Sequence, residues 1–235
     1  MILIIDFSAW GLYIYKRGPM DTISIPHIIS VLPLPHLVFF PHTHLSLHIP
    51  RSFYDRMKEG SQPYPPQADA FLGIVLRKAQ PLDEAAVLPI GCVGKVIRFH
   101  YLPCGQAVHL DLHGLKRFRM KEGWFEEGYG QAWIEAIEDQ PGSLCPGRKR
   151  DLLEVLEHLG HMKEWAPELQ AHIKSGLDDE VFLNMLCLES GLSPMGKYFL
   201  LEADDLNQRS GRLIDLLRFK LADIRSNGGA CQKDH

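Results

Sequence analysis

The hydrophobic period of this chain changes once, and that change limits what it can fold into. From Ile28 to Asp139 apolar residues alternate with polar ones or form short runs, and from Leu152 onward they recur at the helical spacing. A strand exposes alternate residues to opposite faces, whereas a helix gathers residues three and four apart onto one stripe. Strands grouped first and helices second predict an α+β protein.

Within the first part, Ser30–Pro41, "SVLPLPHLVFFP", is punctuated by prolines and reads as an edge strand followed by a turn. "RSFYDRMKEG" predicts a short helix closed by Gly60. "SQPYPPQ" carries three prolines in seven residues and forms only an extended loop. "AFLGIVLRK" is a buried strand. "IGCVGKVIRFHYL" and "QAVHLDLHG" flank a turn centred on Gly105 and predict a hairpin. "LKRFRMKEG" and "YGQAWIEAIED" supply two more strands. Between them, "WFEEGYG" places Trp124 and Phe125 in a glycine-flanked loop, where they are candidate contacts for a polypeptide partner.

Composition shifts at residues 140–150, "QPGSLCPGRKR", read as a linker. Leu152, Leu153, Val155, Leu156, Leu159 and Met162 then form a helical stripe. Ser193 is the expected N-cap of a further helix, with Pro194 at its first position. Leu213, Leu216, Leu217, Leu221 and Ile224 mark a long last helix expected to pack on its predecessors. The division is therefore 1–19 extension, 20–139 β-rich subdomain, 140–150 linker, 151–226 helical subdomain and 227–235 tail.

The formal charge of −4 offers no broad attraction to phosphate backbones, so nucleic acid is disfavoured as a partner apart from small patches at "GRKR" and "LKRFR". Five scattered cysteines without a CxxC pair read as reduced thiols of a cytoplasmic protein. The opening "MILIIDFSAWGLYIYKRGP" is interrupted by Asp6 and has its basic residues after the apolar run. It fits neither a signal peptide nor a spanning helix, and Met20 is the preferred working start. A membrane anchor and a docked arm stay open as alternatives.

The residues with the strongest metal-ligand look are His109, Asp111 and His113 in "HLDLH". They alternate with Val108, Leu110 and Leu112, the pattern of a half-buried strand. Alternate residues stand about 6.6–6.8 Å apart along a strand, too far for all three to converge on one ion without bending. They are read as a solvated strand face. The groups His42, His44 and His48, and Glu154, His158 and His161, are weighed in the same way and set aside. No phosphate loop of the GxxxxGK[ST] type, GxSxG elbow or HExxH helix occurs. No catalytic, cofactor-binding or metal-ligating residue is assigned.

Three stretches together resemble the Lon substrate-binding domain family, the N-terminal domain of Lon proteases and its free-standing relatives. "LPLPHLVFFPHTHLSLHI" is similar to that family's opening "PL…vlFPg…lpLhIfe". "IGCVGKVIRFHYLPCGQAVHLDLHGLKRFRM" is similar to "iGtvgrI…dGr…i.l.G..Rfri", and "KYFLLEADDLNQRSGRLIDLL" to the helical "k..lLe..d...R…L..lL". Pro41, Gly91, Gly105, Gly114, Arg117 and Phe118 are the motif residues, expected to be structural. Three departures stand out: His42 replaces the usual glycine after Phe-Pro, "IPRSFYDRM" lacks the acidic residue of "IFEpRY", and Cys104 stands where an acidic turn residue is common.

The resemblance implies a PUA-like β-barrel followed by a C-terminal helical subdomain. It also implies a non-enzymatic module binding unfolded or partner polypeptides, a protease among them, as an adaptor or regulator of proteolysis. The chain shows neither the ATPase nor the protease motifs of full-length Lon. An RNA-binding PUA-like module and a hydrolase with a dispersed site are the competing readings.

Overall fold

The computed structural model describes residues 24–60, 71–78, 87–103, 105–126, 129–139, 142–159 and 178–228. The expectations for residues 1–19, the proline-rich loop, His161, Met162 and the tail beyond residue 228 lie outside them. The chain divides into two compact units, Met1–Ile137 and Glu138–His235.

The first unit holds β1 (Ile28–Leu34), β2 (His44–Pro50), α1 (Arg51–Gly60), β3 (Phe71–Arg77), β4 (Val87–Tyr101), β5 (Ala107–Glu126) and β6 (Tyr129–Ala136). The sheet runs β2-β5-β4-β3-β1-β6, and β6 also pairs with β5, so the ladder returns on itself. Only the β1–β3 pairing is parallel among these ladders.

Two strands read separately in the sequence, "QAVHLDLHG" and "LKRFRMKEG", are one strand of 20 residues. β5 serves two neighbours in succession: its first part pairs with β2 along Ala107–His113, and its second part with β6 along Phe118–Glu126. At the change-over the β4–β5 ladder skips Leu115, pairing Gly94 with Gly114 and Val93 with Lys116. An extra residue on one strand bends it and raises its twist, which lets a single strand border both partners.

β1 is not the edge strand its prolines suggested, because it lies between β3 and β6. The β1–β6 ladder covers only Ile28–Val31, so Pro33 sits beyond it and pairs with β3 alone. A missing N–H is tolerated where no second neighbour asks for it.

Both faces of β1 and β3 are buried along most of their length, which is why "IISVLPL" and "FLGIVLR" are largely apolar, with Ile28 and Arg77 at the less covered ends. One core gathers Leu32, Phe39, Leu47, Met57, Ile74 and Leu110, with α1 and β2 contributing. The other gathers Ile29, Val31, Val75, Val93, Phe118 and Ile134.

The second unit holds α2 (Pro146–His158), α3 (Asp179–Glu189), α4 (Pro194–Leu201) and α5 (Leu206–Gly228). α2 starts inside the stretch read as a linker, since Pro146 stands at the head of the helix, where its missing N–H is harmless. Asp178 caps α3 by accepting from the Glu180 N–H, and Ser193 caps α4 by accepting from Gly196 at 3.2 Å. The Lys197 ammonium donates to the Leu188 carbonyl, and Lys220 to those of Ser190 and Gly191, neutralising the carbonyl end of α3.

The last-helix stripe is buried only in its first half. Leu213, Ile214 and Leu217 are 0–2% exposed, whereas Ile224 is 50% exposed and Phe219 76%. A straight helix keeps its apolar face covered only as far as neighbours run beside it. Inside the unit, buried Arg209 donates to the Asn184 side-chain oxygen at 2.7 Å. Burial pushes the neighbouring Cys187 thiol up to about 12.

Candidate functional site

Trp124 and Phe125 lie on β5, paired with Gln131 and Gly130 of β6, and not in a loop. Consecutive strand residues point to opposite faces, and the two aromatics part accordingly. Phe125 is half-buried against the second core, its ring filling the space that Gly130 leaves. Trp124 is 56% exposed.

Trp124 does not stand alone on its face. Trp133 of β6 is directly opposite both Ile28 of β1 and Glu122 of β5, and it is diagonal to Trp124. Ile28 and Trp133 are 54% and 52% exposed, so three large apolar side chains form one row across β1, β6 and β5. Diagonal neighbours are about 7–8 Å apart, within reach of indole rings. The Lys121 ammonium meets the Glu135 carboxylate at 2.5 Å beside this row. That hydrogen bond holds Glu135 below the usual carboxylate range. Trp133 was missed in the sequence, although the signal was present: Ala132 and Ile134 are inward residues, so the indole between them must point out.

A second aromatic group, Phe99 and Tyr101 on β4, is engaged by its own chain. Tyr54 of α1 packs against both, tilted to Phe99 at 5.2 Å and edge-on to Tyr101 at 6.2 Å between ring centres, and the Arg51 guanidinium lies 5.1 Å from the Tyr101 ring.

The motif residues sit at tight packing positions. The Phe118 ring lies 2.8 Å from where a Cβ on Gly91 would be, and 3.0 Å from one on Gly73. The Phe40 carbonyl oxygen fills the Cβ position of Gly114, next to Pro41. Gly105 has φ +67° at the hairpin turn. Arg117 and Phe118 are 1% and 0% exposed. His42, which departs from the family glycine, has φ 60°, the left-handed region glycine adopts freely.

The "HLDLH" face alternates as read, with Val108, Leu110 and Leu112 buried, but it is not an open solvated face. β2 brings Ser46 beside Asp111 and His44 beside His113. His113 is only 4% exposed, and burial, with His44 and His42 nearby, pushes its imidazole down to about 4. Burial alone would raise the Asp111 carboxyl. Hydrogen bonds from Ser46 at 2.6 Å and His109 at 3.0 Å, with Arg98 nearby, outweigh burial and hold it below its usual range.

The family model of the ATP-dependent protease La (LON) substrate-binding domain matches residues 28–218. The chain belongs to that family, whose domain is the substrate-binding part of Lon and not its catalytic part. It is 24% identical over 210 residues to the Lon protease of Cytophaga hutchinsonii, covering 86% of this chain and 25% of that protein. Lon protease 2 of Myxococcus xanthus is 26% identical over 224 residues, covering 91% of this chain and 26% of that protein. The chain thus spans about a quarter of the length of these relatives. In fold it is similar to the Lon N-terminal domain protein from Xanthomonas campestris, with a TM-score of 0.57 at 19% identity over 80% of this chain and 97% of that one. The N-terminal domain of Mycobacterium avium complex Lon protease gives 0.59 at 18% identity over 81% and 98%.

Proposed function

We propose that the chain binds unfolded or partly folded polypeptides and serves as an adaptor or regulator of proteolysis, without catalysis of its own. The observation that carries this reading is the row of Ile28, Trp133 and Trp124. A contiguous, exposed apolar patch on a soluble-type fold is uncommon and marks an interaction surface. Indoles bury much area at low entropic cost, and they dominate binding hot spots. Membership of a substrate-binding family supports a polypeptide as the occupant. In this reading Trp124 is a contact residue, Phe125 supports it from the core, and the glycines with Arg117 and Phe118 hold the scaffold. Among the described residues no helix is long and apolar enough to cross a membrane.

The test is binding of a fluorescent, permanently unfolded protein by the purified chain. Replacing both Trp124 and Trp133 with alanine is expected to weaken binding about tenfold or more, since each tenfold is about 1.4 kcal/mol. The double variant should still melt cooperatively at a modestly lower temperature, because only about half of each indole is covered. Equal affinity in parent and double variant would show that the occupant binds elsewhere. Binding of RNA that weakens steeply with salt would favour the nucleic-acid reading instead.

A further inference from the structure

Three imidazoles stand side by side across β2, β5 and β4. His48 is the direct cross-strand partner of His109, and His109 that of His100. The ring centres are 5.0 Å apart for the first pair and 4.7 Å for the second. Two imidazoles sharing a tetrahedral ion through metal–nitrogen bonds of about 2.0–2.1 Å must hold their ring centres about 5 Å apart. Both neighbours of His109 already stand near that separation, on backbones set by the ladder. The rings of His48 and His100 lie at 62° and 29° to that of His109, so the second ligand must turn about its Cβ–Cγ bond, a broad and soft torsion in histidine, while His109 keeps its hydrogen bond to Asp111. Among the described residues no three His, Cys, Asp or Glu side chains converge on one ion as they stand. The geometry is that of a ligand pair completed by water.

The hydrogen bonding around His109 suits this role. Its Nε2 is 3.0 Å from Asp111 Oδ1, the Ser46 hydroxyl donates to the same oxygen at 2.6 Å, and Arg98 Nε is 3.3 Å from Oδ2. A carboxylate in that setting accepts, so His109 donates from Nε2 and keeps its lone pair on Nδ1. A carboxylate fixing the tautomer of an imidazole is the usual companion of a metal-bound histidine. His100 is exposed, and the His109 side chain is 17% exposed, so an ion reaches the pair from water. His44 and His113 also stand close, at 4.8 Å, but His113 is 4% exposed and leaves an arriving ion far less room.

We propose that His109, with His48 or His100 as second ligand, forms a binding site for a divalent first-row transition ion, and that Asp111 positions His109. Imidazole ligands suit zinc, nickel and copper. An ion held by His109 and His48 ties β5 to β2, a strand far away in sequence that pairs with β5 alone, whereas one held by His109 and His100 ties together the two arms of the β4–β5 hairpin. Without an ion, the same rings are only cross-strand neighbours.

The experiment uses tag-free, chelator-treated full chain, titrated separately with Zn2+, Ni2+ and Cu2+ by calorimetry. Copper-loaded samples are read by electron paramagnetic resonance. The expected result is one ion per chain at micromolar affinity, a raised melting temperature, and hyperfine coupling to imidazole nitrogens. His109→Asn should abolish binding, as should His48→Asn combined with His100→Asn, while each of those alone should only weaken it. Asp111→Asn should weaken affinity about tenfold or more while preserving the nitrogen coupling. His113→Asn should leave binding unchanged. No saturable binding of any of the three ions, or binding that survives His109→Asn, overturns the site. An Asp111→Asn variant of parental affinity overturns the positioning role.

Discussion

The carbonyl oxygen of Phe40 lies where a β-carbon on residue 114 would have to be, so Gly114 is the only residue type that lets the Phe40–Pro41 turn close over β5. Two hydrogen bonds hold that closure, from His42 N–H to the Gly114 carbonyl at 2.8 Å and from Gly114 N–H to the Thr43 carbonyl at 2.9 Å. Gly105 is the opposite case, with φ +67° but open space around it. Gly114→Ala should therefore cost about 2–3 kcal/mol through backbone displacement. Gly105→Ala should cost only about 1 kcal/mol, and Gly105→Asn less. Urea unfolding of the three variants checks the order.

His42 occupies a left-handed position with an L side chain. His42→Gly and His42→Ala remove the same imidazole, so their difference isolates the backbone. The glycine variant should be the more stable by about 1 kcal/mol. Equal midpoints in denaturant would mean that the turn relaxes around the substitution.

His113 is buried as a neutral imidazole, with its proton affinity pushed down to about 4 from 6.5. Between those pH values the unfolded chain binds the proton and the folded one does not, so stability rises with pH across the window. The contribution is complete above about pH 6.5 and is lost progressively as pH falls toward 4, amounting to at most about 3 kcal/mol. Replacing His113 with glutamine should flatten this part of the stability–pH curve relative to the parent. Thermal melts at matched ionic strength provide the comparison.

The covered part of α5 ends near Leu217, while Lys220 still donates to the Gly191 carbonyl at 3.1 Å. A chain ending after Leu221 should keep its stability within about 1 kcal/mol, since residues 222–226 are exposed. A chain ending before Leu206 loses the buried Leu206, Leu213, Ile214 and Leu217. At roughly 1.5–3 kcal/mol each, that exceeds what a helical unit can lose and still melt cooperatively. Circular dichroism melts of both truncations separate the two outcomes.

The sequence was most informative where a local rule had one physical solution. Ser193 and Pro194 start a helix because a side-chain acceptor and a missing N–H suit no other place so well. Gly105 turns the β4–β5 hairpin because few other residues accept its backbone angle. Reading failed where two alternatives differ only in what lies alongside: β5 read as two strands, Pro33 as an edge, Trp124 in a loop.

By itself, then, the sequence determined which residues of each strand share a face, because side-chain direction follows from covalent geometry with period two. Val108, Leu110 and Leu112 had to turn one way, and His109, Asp111 and His113 the other. Only the tertiary structure decided what those faces meet. Cross-strand register sets His48 and His100 on either side of His109, and Trp133 between Ile28 and Trp124. It also covers His113 while leaving Trp124 open. Register is fixed by pairing between segments distant in the chain, where burial of one apolar face selects among alignments that local sequence leaves equivalent.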